Sequence, residues 1–373
     1  MKMYLPLHKH LERSSHFTKV PSKKEEQWRF SKLANYLETH YHTLEAHKKK
    51  PKLHAQENTL YIHDGELIAH QLPSCVHLKT HRPTCQIEYN PFAHLATQTS
   101  PYPLELNIFE EAHLDIYLSY SKEHFLCSNL NIILQEGIKA SVYMHFKKGE
   151  KSFISHANHI KLEANAKLIL TQTKTLAKSA VFISQDCLHL HEKSTLQNFN
   201  LLHQGAYLHH FSQASLHYKS ELKLQALLLS EDEQNLIFSA SVEQLGDDSK
   251  SEILSKQVLK DKSSCTFEAL TKIEKGSKRS QARQASHALL LSEHAQIHAK
   301  PHLEIYSDDL SASHGSTVGE LDEMAIDYLR SRGIAYEKAK AMLTSAFIKE
   351  VIECIEAPTH KEKVLAHLGE YDV

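Results

Sequence analysis

Short runs of alternating polar and apolar residues fill the middle of this chain and recur at a nearly constant spacing. From about residue 105 to residue 312, stretches such as LDIYLSY, SVYMHF and LHLHE place apolar side chains at every second position, as strands with one buried face do. A small residue, one spacer and an aliphatic or aromatic residue recur about every 26 residues there. These repeats start at Ala140/Val142, Ala166/Leu168, Ser194/Leu196, Ala214/Leu216, Ala240/Val242, Cys265/Phe267 and Ala295/Ile297.

A repeat of this length indicates a stack of similar coils. Each coil can bury its inward side chains only against its neighbours, so the units form a solenoid whose ends need caps. The 10 glycines are few, and no helical patterns separate the strands, which disfavours a sheet built from alternating strands and helices. We therefore predict a mainly β fold with a parallel β-helix over residues 105–314; a β-sandwich is the alternative.

The first 104 residues are expected to form a mixed, partly helical region. Apolar residues at three- and four-residue steps predict an amphipathic helix from Glu25 to His47. The segment Thr59 to Leu67 (TLYIHDGEL) alternates around Asp64-Gly65, which predicts a β-hairpin, because glycine tolerates the positive φ of a tight turn.

Residues 315–373 are expected to form a helical hairpin domain. Thr317 and Glu320 fit a capping box at the start of a first helix, and Gly333 fits its end. A second helix is predicted from apolar residues between Ala339 and Ile355. The apolar positions of this hairpin that we expect a partner to contact are Leu321, Met324, Tyr328, Leu329, Met342 and Phe347.

Composition excludes several functional classes. Lys and Arg number 43 and Asp and Glu 45, so no net basic charge is available to hold nucleic acid or an anionic membrane. No apolar run has the length of a signal peptide or a membrane span, which predicts a cytoplasmic protein that binds neither nucleic acid nor membrane. The six cysteines are scattered, without a C-x-x-C pair, as expected for reduced thiols. The usual nucleotide-binding, hydrolase and zinc-protease motifs are absent, so we predict no catalytic residues and no enzyme activity.

Two histidine patterns are candidates for chemistry. His314 precedes the predicted helix cap by three residues, where the positive helix end would keep the imidazole neutral and able to bind a metal. The alternative is a histidine that only packs at the junction between strand and helix. Cys187, His189 and His191 would share one face of a strand, but they extend over ~13 Å, too far for all three to reach one ion. We read that face as solvated, although the use of the chain's histidine excess stays open.

Three stretches of the sequence together resemble the signatures of one family. Pro21 to Leu33 (PSKKEEQWRFSKL) is similar to the N-terminal signature of the SufB/SufD family, scaffold subunits of the Suf iron–sulfur cluster assembly system. Leu289 to Glu323, which includes SASHGSTVGELDE, and Tyr328 to Ile334 (YLRSRGI) resemble its C-terminal signature nearly position by position. The wording is closer to the SufD branch than to SufB.

The resemblance implies a right-handed parallel β-helix with helical regions at both ends. It further implies pairing with a SufB-like subunit through the β-helices, and binding of a SufC-like ABC ATPase through the C-terminal helices. His314 matches the family histidine implicated in cluster assembly at the SufB–SufD interface. No tightly bound cofactor is expected, only iron or a nascent iron–sulfur cluster held transiently at that interface. Ala312 stands where the family often has cysteine, so a local Cys/His metal pair is not expected.

Three questions stay open at this point. The chain could instead be a SufB-like subunit that carries a cluster itself, which would need cysteines at the partner interface; Cys187 and Cys265 are the candidates. It could be a β-helix enzyme that processes polysaccharides, which would need carboxylates clustered on one exposed face. Whether it forms a homodimer without its partner is not decided by the sequence.

Overall fold

The chain folds as a β-solenoid of about 8 turns with helices near both ends, as predicted. The computed structural model describes residues 4–13, 28, 31–43, 53–82 and 90–369. Successive strands of the solenoid alternate between two sheets, and each pairs in parallel with the strand two places along the chain. Each coil therefore contributes one strand to each sheet.

The first sheet has eleven strands. They are β1 (Tyr4–Pro6), β2 (His40–Thr43), β5 (Val76–Thr80), β6 (Leu104–Ile108), β8 (His124–Leu134), β10 (Phe153–Leu162), β12 (Val181–Leu190), β14 (Tyr207–Leu216), β16 (Asn235–Gln244), β18 (Ser264–Ile273) and β20 (Gln296–Ile305). The second sheet has ten. They are β3 (Thr59–His63), β4 (Glu66–Gln71), β7 (Ala112–Tyr120), β9 (Lys139–Lys148), β11 (Lys167–Leu176), β13 (Thr195–His203), β15 (Glu221–Ser230), β17 (Lys250–Leu259), β19 (Ser280–Leu290) and β21 (Leu310–Gly319).

The length of one coil agrees with the predicted repeat, but the repeat markers are not equivalent positions. Paired residues lie 28 apart between β8 and β10, 26 apart between β12 and β14, and 29 apart between β16 and β18. Ala140, the first residue of its marker, pairs with Leu168, the second residue of the next marker, and not with Ala166. The markers also change from the second sheet to the first between Ser194 and Ala214. Both sheets carry the same alternation, so a short motif cannot distinguish them.

The interior between the two sheets is the main hydrophobic core. Alternate residues of each strand point inward, as Leu188 and Leu190 do in β12, and they pack against the equivalent residues of neighbouring coils. Asn165, Lys193 and Lys219, at the bends between strands, have positive φ. Strong alternation in the sequence therefore translates directly into strands with one face in this core.

The hairpin prediction is confirmed and the N-terminal helix prediction is wrong over the described residues. β3 and β4 pair antiparallel around Asp64-Gly65. Among the described residues of the segment predicted to be one helix, Leu33–Tyr36 form a short 3-10 helix, and β2 follows it. Tyr41 lies in β2 opposite Leu5 of β1 and is buried, so pairing and packing outweigh the helical spacing. Residues 14–27, 29–30 and 44–52 lie outside the described part, including most of the N-terminal signature.

Five α-helices are described. They are α1 (Leu7–Arg13), α2 (Pro91–Thr99), α3 (Glu323–Ser331), α4 (Tyr336–Ile352) and α5 (Pro358–Gly369). α2, capped by Asn90, packs on the outer face of the first sheet. Residues of α4 and α5 pack on the outer face of the second sheet. None of the helices in these ranges is long and apolar enough to span a membrane.

The start of the C-terminal helices differs from the prediction. β21 continues through Gly319, and the cap of α3 is Asp322, whose side chain accepts from the Met324 N–H at 2.9 Å. Thr317, the predicted cap, instead contacts the His287 ring at 2.7 Å. Pairing with β19 holds residues 310–319 in a strand. α5 was not predicted, because its apolar positions are few.

Candidate functional site

The solenoid is open at its C-terminal end. Within the described residues, β20 has a strand neighbour only in β18, and β21 only in β19. Each strand has ten residues and leaves the backbone groups of one side without a strand partner. Long uncovered edges of this kind are templates for adding a strand from another chain.

Core-facing side chains are exposed at this open end. Ile305 of β20 stands in register with Ile273, which is fully buried, yet Ile305 is 46% exposed. Val318 of β21 stands in register with the buried Ala288 and is 52% exposed. These residues continue the interior columns of the solenoid and lack a further coil to cover them. Apolar surface exposed in this way favours association with another apolar surface.

His314 lies at the same end. It stands in β21 opposite Gln284, whose side chain is buried in the interior, so the His314 column is also an interior one. The His314 side chain is exposed because β21 belongs to the last coil. The predicted influence of a helix N-terminus is wrong: α3 begins only at Glu323, and a helix dipole acts within about one turn.

The described residues supply no complete metal site around His314. No group of three or more His, Cys, Asp or Glu side chains that could hold a metal ion occurs among them. Ala312, two residues earlier, has no side-chain atom that could bind a metal ion. His314 is therefore the exposed imidazole that continues an interior column at the open end.

The six residues predicted to contact an ATPase occupy two different environments. Met324 and Tyr328 of α3 are 80% and 60% exposed, and Met342 of α4 is 44% exposed. Leu321 and Phe347 are partly buried against the apolar cluster between helices and second sheet, and Leu329 is also half-buried. The exposed apolar surface thus lies on α3 and the first half of α4.

Ion pairs fix the rest of the helical region to the solenoid. The buried Lys256 of β17 donates to the Phe347 carbonyl at 3.1 Å and to the Glu350 carboxylate at 2.5 Å, and its ammonium lies 4.2 Å from the centre of the Phe347 ring. Glu356 accepts from Lys167 and Lys223, both at 2.9 Å. The second half of α4 and the loop after it are thereby held to the strands, whereas α3 has one buried residue, Ile326.

The Cys187, His189 and His191 pattern does not converge on one point. Cys187 is buried beneath α2 with Ala93, Ala96 and Ala157. His189 contacts Ser215 at 3.0 Å, and the His191 ring stacks on His217 of the next coil. The reading of a wholly solvated face is therefore wrong for Cys187, because a helix covers that end of the strand.

The cysteines suggested for a SufB-like role are also buried. Cys265 points into the solenoid interior, where burial raises the pKa of its thiol to about 12. Cys187 lies under α2 and is 3% exposed. Neither thiol is exposed at the open end. A SufB-like subunit that carries a cluster would need cysteines at the partner interface, and these two candidates do not supply them.

A groove of about 630 Å³ crosses the outer face of the first sheet from β12 to β20. Two carboxylates line it, Glu268 and Glu304, together with the cationic Lys300 and with His302. Carboxylates and basic groups thus share this groove, unlike the clustered carboxylates expected of an enzyme that cleaves sugar chains.

A buried polar cluster inside the solenoid was not predicted. Asp186 is fully buried and accepts from the side-chain amides of Asn158 (2.8 Å), Gln172 (2.5 Å) and Asn198 (2.9 Å). Burial by itself would raise the pKa of Asp186, but His210, Lys174 and these donors bring it well below its usual range. The sequence signal is a polar residue at an inward position in adjacent coils.

Burial lowers the pKa values of the basic side chains in this cluster. Burial lowers the pKa of Lys174 to about 7, although Asp186 opposes this. Burial and the charge of Lys174 lower the pKa of His210 to about 4, and burial lowers that of His156 to about 4. At neutral pH both rings are therefore neutral, and Lys174, whose pKa lies near neutrality, is the cationic group of the cluster that faces the Asp186 carboxylate.

Comparison with known proteins identifies a family. Residues 117–347 match the family model described as SUF system FeS cluster assembly, SufBD core domain. The chain is similar to the iron–sulfur cluster assembly protein SufD of Escherichia coli K12, with 30% identity over 240 residues, which cover 64% of this chain and 57% of the relative. SufD of Bacillus subtilis 168 is 35% identical over 128 residues, 34% of this chain and 29% of the relative. An iron–sulfur cluster assembly SufBD family protein of Synechocystis is 31% identical over 102 residues, 27% of this chain and 22% of the relative.

The matched region therefore spans less than two thirds of each of these relatives. It contains most of the solenoid, α3 and most of α4. Since the family model covers well over half of the chain, the chain belongs to the SufB/SufD family and within it is most like SufD.

Proposed function

We propose that this protein is a SufD-like scaffold subunit of a Suf iron–sulfur cluster assembly complex, with no catalytic turnover of its own. The observation that carries the proposal is the open end of the solenoid, where Ile305 and Val318 continue the interior columns without cover. A second solenoid of the same family, in a SufB-like subunit, would cover these side chains and pair with the edges β20 and β21.

The exposed imidazole of His314 would lie within that interface. An iron ion or nascent cluster held there would take further ligands from the partner, because the described residues contain no group of three or more His, Cys, Asp or Glu side chains that could hold a metal ion. Cluster or iron is cargo in this proposal and leaves the interface when assembly is complete.

The exposed apolar surface of Met324, Tyr328 and Met342 is the proposed contact for a SufC-like ABC ATPase. In this mechanism, dimerisation of the ATPase on ATP moves the two helical regions and opens the solenoid interface near His314. ATP supplies the energy through its tighter binding to the closed ATPase dimer. The ion pairs of Lys256 and Glu356 would transmit that movement to the strands.

Charge at the open end tests the pairing. Val318→Lys would place an ammonium group among apolar columns that the partner must cover, so co-purification with the co-expressed SufB-like subunit should fall at least tenfold. Leu245→Lys is the matched control, because Leu245 is 43% exposed on a bend away from the open end. Equal co-purification of both variants would contradict pairing at β20 and β21.

His314→Ala tests the site within the interface. We expect the complex to assemble while its iron and labile sulfide content falls severalfold. His70→Ala, at an exposed histidine on β4, controls for loss of any surface imidazole. Unchanged cluster content in an intact His314→Ala complex would assign His314 a packing role only.

The helical contact is tested with Tyr328→Asp, which adds charge to the exposed apolar surface. Binding of the co-expressed ATPase should weaken at least tenfold, while Phe109→Asp, at a 44% exposed aromatic in the N-terminal half, should leave it unchanged. If Tyr328→Asp keeps full ATPase binding, the contact lies elsewhere on the chain.

A further inference from the structure

Two histidines from adjacent coils meet on a bend of the solenoid. β12 and β14 are neighbours in the first sheet, and their last residues, Leu190 and Leu216, are in register. His191 and His217 follow directly, and the His217 amide donates to the Leu190 carbonyl at 3.1 Å. Backbone pairing therefore fixes the two histidines side by side.

The two rings are parallel and open to solvent. Their centres are 5.4 Å apart and their planes differ by 6°. The His217 side chain is exposed and that of His191 is half-buried. This spacing is close to the ~4.8 Å between neighbouring strands, so small side-chain rotations would bring one nitrogen of each ring to a shared ion.

The charged groups around the pair are largely engaged with one another. Lys193 pairs with Glu192 at 2.8 Å. The ammonium groups of Lys193 and Lys219 lie 6.0 and 5.0 Å from the centre of the Tyr218 ring. Glu192 thus offsets part of the local positive charge that would otherwise repel a cation.

The His217 ring favours the neutral form that a metal ligand needs. Burial, followed by the charges of His191 and His189, lowers the pKa of His217. A neutral imidazole has one nitrogen with a free lone pair, which suits first-row transition-metal ions better than Ca²⁺ or Mg²⁺. Cys187, on the same strand face, is buried beneath α2 and takes no part.

We propose that His191 and His217 form a two-histidine surface site for a divalent transition-metal ion, with water completing the coordination. The site is independent of the proposed function, because it rests on two bends in the middle of the solenoid and not on the open end. Affinity should follow the usual order for nitrogen ligands, with Cu²⁺ tightest.

The test uses copper(II)–iminodiacetate, which leaves two adjacent coordination positions free and so selects paired imidazoles. The purified full chain is titrated at pH 7.5 by calorimetry, and nitrogen ligation is read by electron paramagnetic resonance. His191→Ala and His217→Ala should each remove one binding site or weaken it about 100-fold, as loss of two-point attachment does. His294→Ala, at an exposed bend histidine, should keep it.

Thermal unfolding without metal confirms that each variant is folded, and His217→Asn serves as a second variant in which a polar side chain of similar size replaces the ligand. Loss of the site in both His191 and His217 variants supports the pair. Wild-type stoichiometry and affinity in either folded variant would overturn it, because one imidazole would then suffice.

Discussion

At the scale of single residues, Gly246 is the glycine of the described chain with the least room for a side chain. A Cβ atom there would lie 2.2 Å from the Tyr218 nitrogen and 2.5 Å from the His217 carbonyl carbon, both in the backbone of the preceding coil. Backbone atoms held by strand pairing cannot move aside as a flexible side chain can. Gly246 is therefore required by the close approach of two bends and not by an unusual φ.

Gly246→Ala should destabilise the protein by about 2–3 kcal/mol, because the bend must shift to admit the methyl group. The measurement is urea unfolding followed by circular dichroism. Gly319→Ala, where nothing lies within 4 Å of an added Cβ, should change the free energy of unfolding by less than about 0.5 kcal/mol. Similar values for both variants would contradict the steric argument.

Predictions for single residues were correct where local sequence spacing determines the conformation. They were wrong where pairing between strands determines it. The turn at Asp64-Gly65 follows from glycine's tolerance of positive φ, and Gly65 has φ 83°. Thr317 has a suitable side chain for a helix cap, but β19 pairs with it and moves the cap to Asp322. His314 was selected from its position before the predicted helix cap and also matches the family histidine, but its exposure depends on being in the last coil.

At the scale of elements, α5 rests on the second sheet through histidines. His360 contacts Thr171 at 3.1 Å, and the His367 ring meets the His145 ring edge-on at 5.1 Å. Lys363 pairs with Asp115 at 2.5 Å. Burial lowers the pKa of His145 to about 4, assisted by His367 and Lys147, and burial, with the charge of Lys363, lowers the pKa of His360 to about 4 against the opposing effect of Asp115.

Because these pKa values are lowered when α5 is docked, we expect α5 to detach from the second sheet in acid. In the released state they would titrate near pH 6.5, so that state binds more protons between pH 6.5 and 4. The docking free energy is fully present above pH 6.5 and is lost as the pH falls towards 4. Hydrogen exchange of residues 358–369, corrected for intrinsic rates, should show protection falling about tenfold or more between pH 7 and 5.

A variant without the titrating ring separates this effect from general acid sensitivity. His360→Gln can still hydrogen-bond to Thr171 and should flatten the pH dependence of α5 protection. His70→Ala, at an exposed position on β4, should leave it as in the wild type. The histidine explanation fails if His360→Gln and the wild type lose protection in parallel.

At the scale of the whole molecule, a polar cluster ties together coils in the middle of the solenoid. Asp186 of β12 binds side chains of β10, β11 and β13, so both sheets and two successive coils share one acceptor. Lys174 donates to Asn200 at 2.6 Å in the same interior. In a solenoid each coil is stabilised mainly by its neighbours. A defect shared by adjacent coils in the middle therefore weakens the whole stack.

Asp186→Asn should destabilise the protein by about 3 kcal/mol, since an amide replaces a carboxylate and turns hydrogen-bond donors towards other donors. Equilibrium urea unfolding measures this. Asp232→Asn, which removes only an exposed ion pair with Lys178, should cost less than about 1 kcal/mol. A loss no larger at Asp186 than at Asp232 would show that the interior tolerates the change by rearranging.

Strand alternation and the approximate coil length follow from the sequence alone, because inward and outward side chains differ in polarity at every second position. The family is indicated by particular stretches that resemble its signatures, above all Leu289 to Glu323 and Tyr328 to Ile334. The folded arrangement sets the features that join distant parts of the chain. These are the sheet to which each strand belongs, the helix that covers Cys187, the Asp186 cluster and the pairing of His191 with His217. Contacts between strands that neighbour each other in one sheet, such as Asp186 with Asn158 and His191 with His217, join residues 28 and 26 positions apart, and one added residue in a bend shifts their register. Local sequence patterns do not specify that register, which is set by backbone hydrogen bonds between coils.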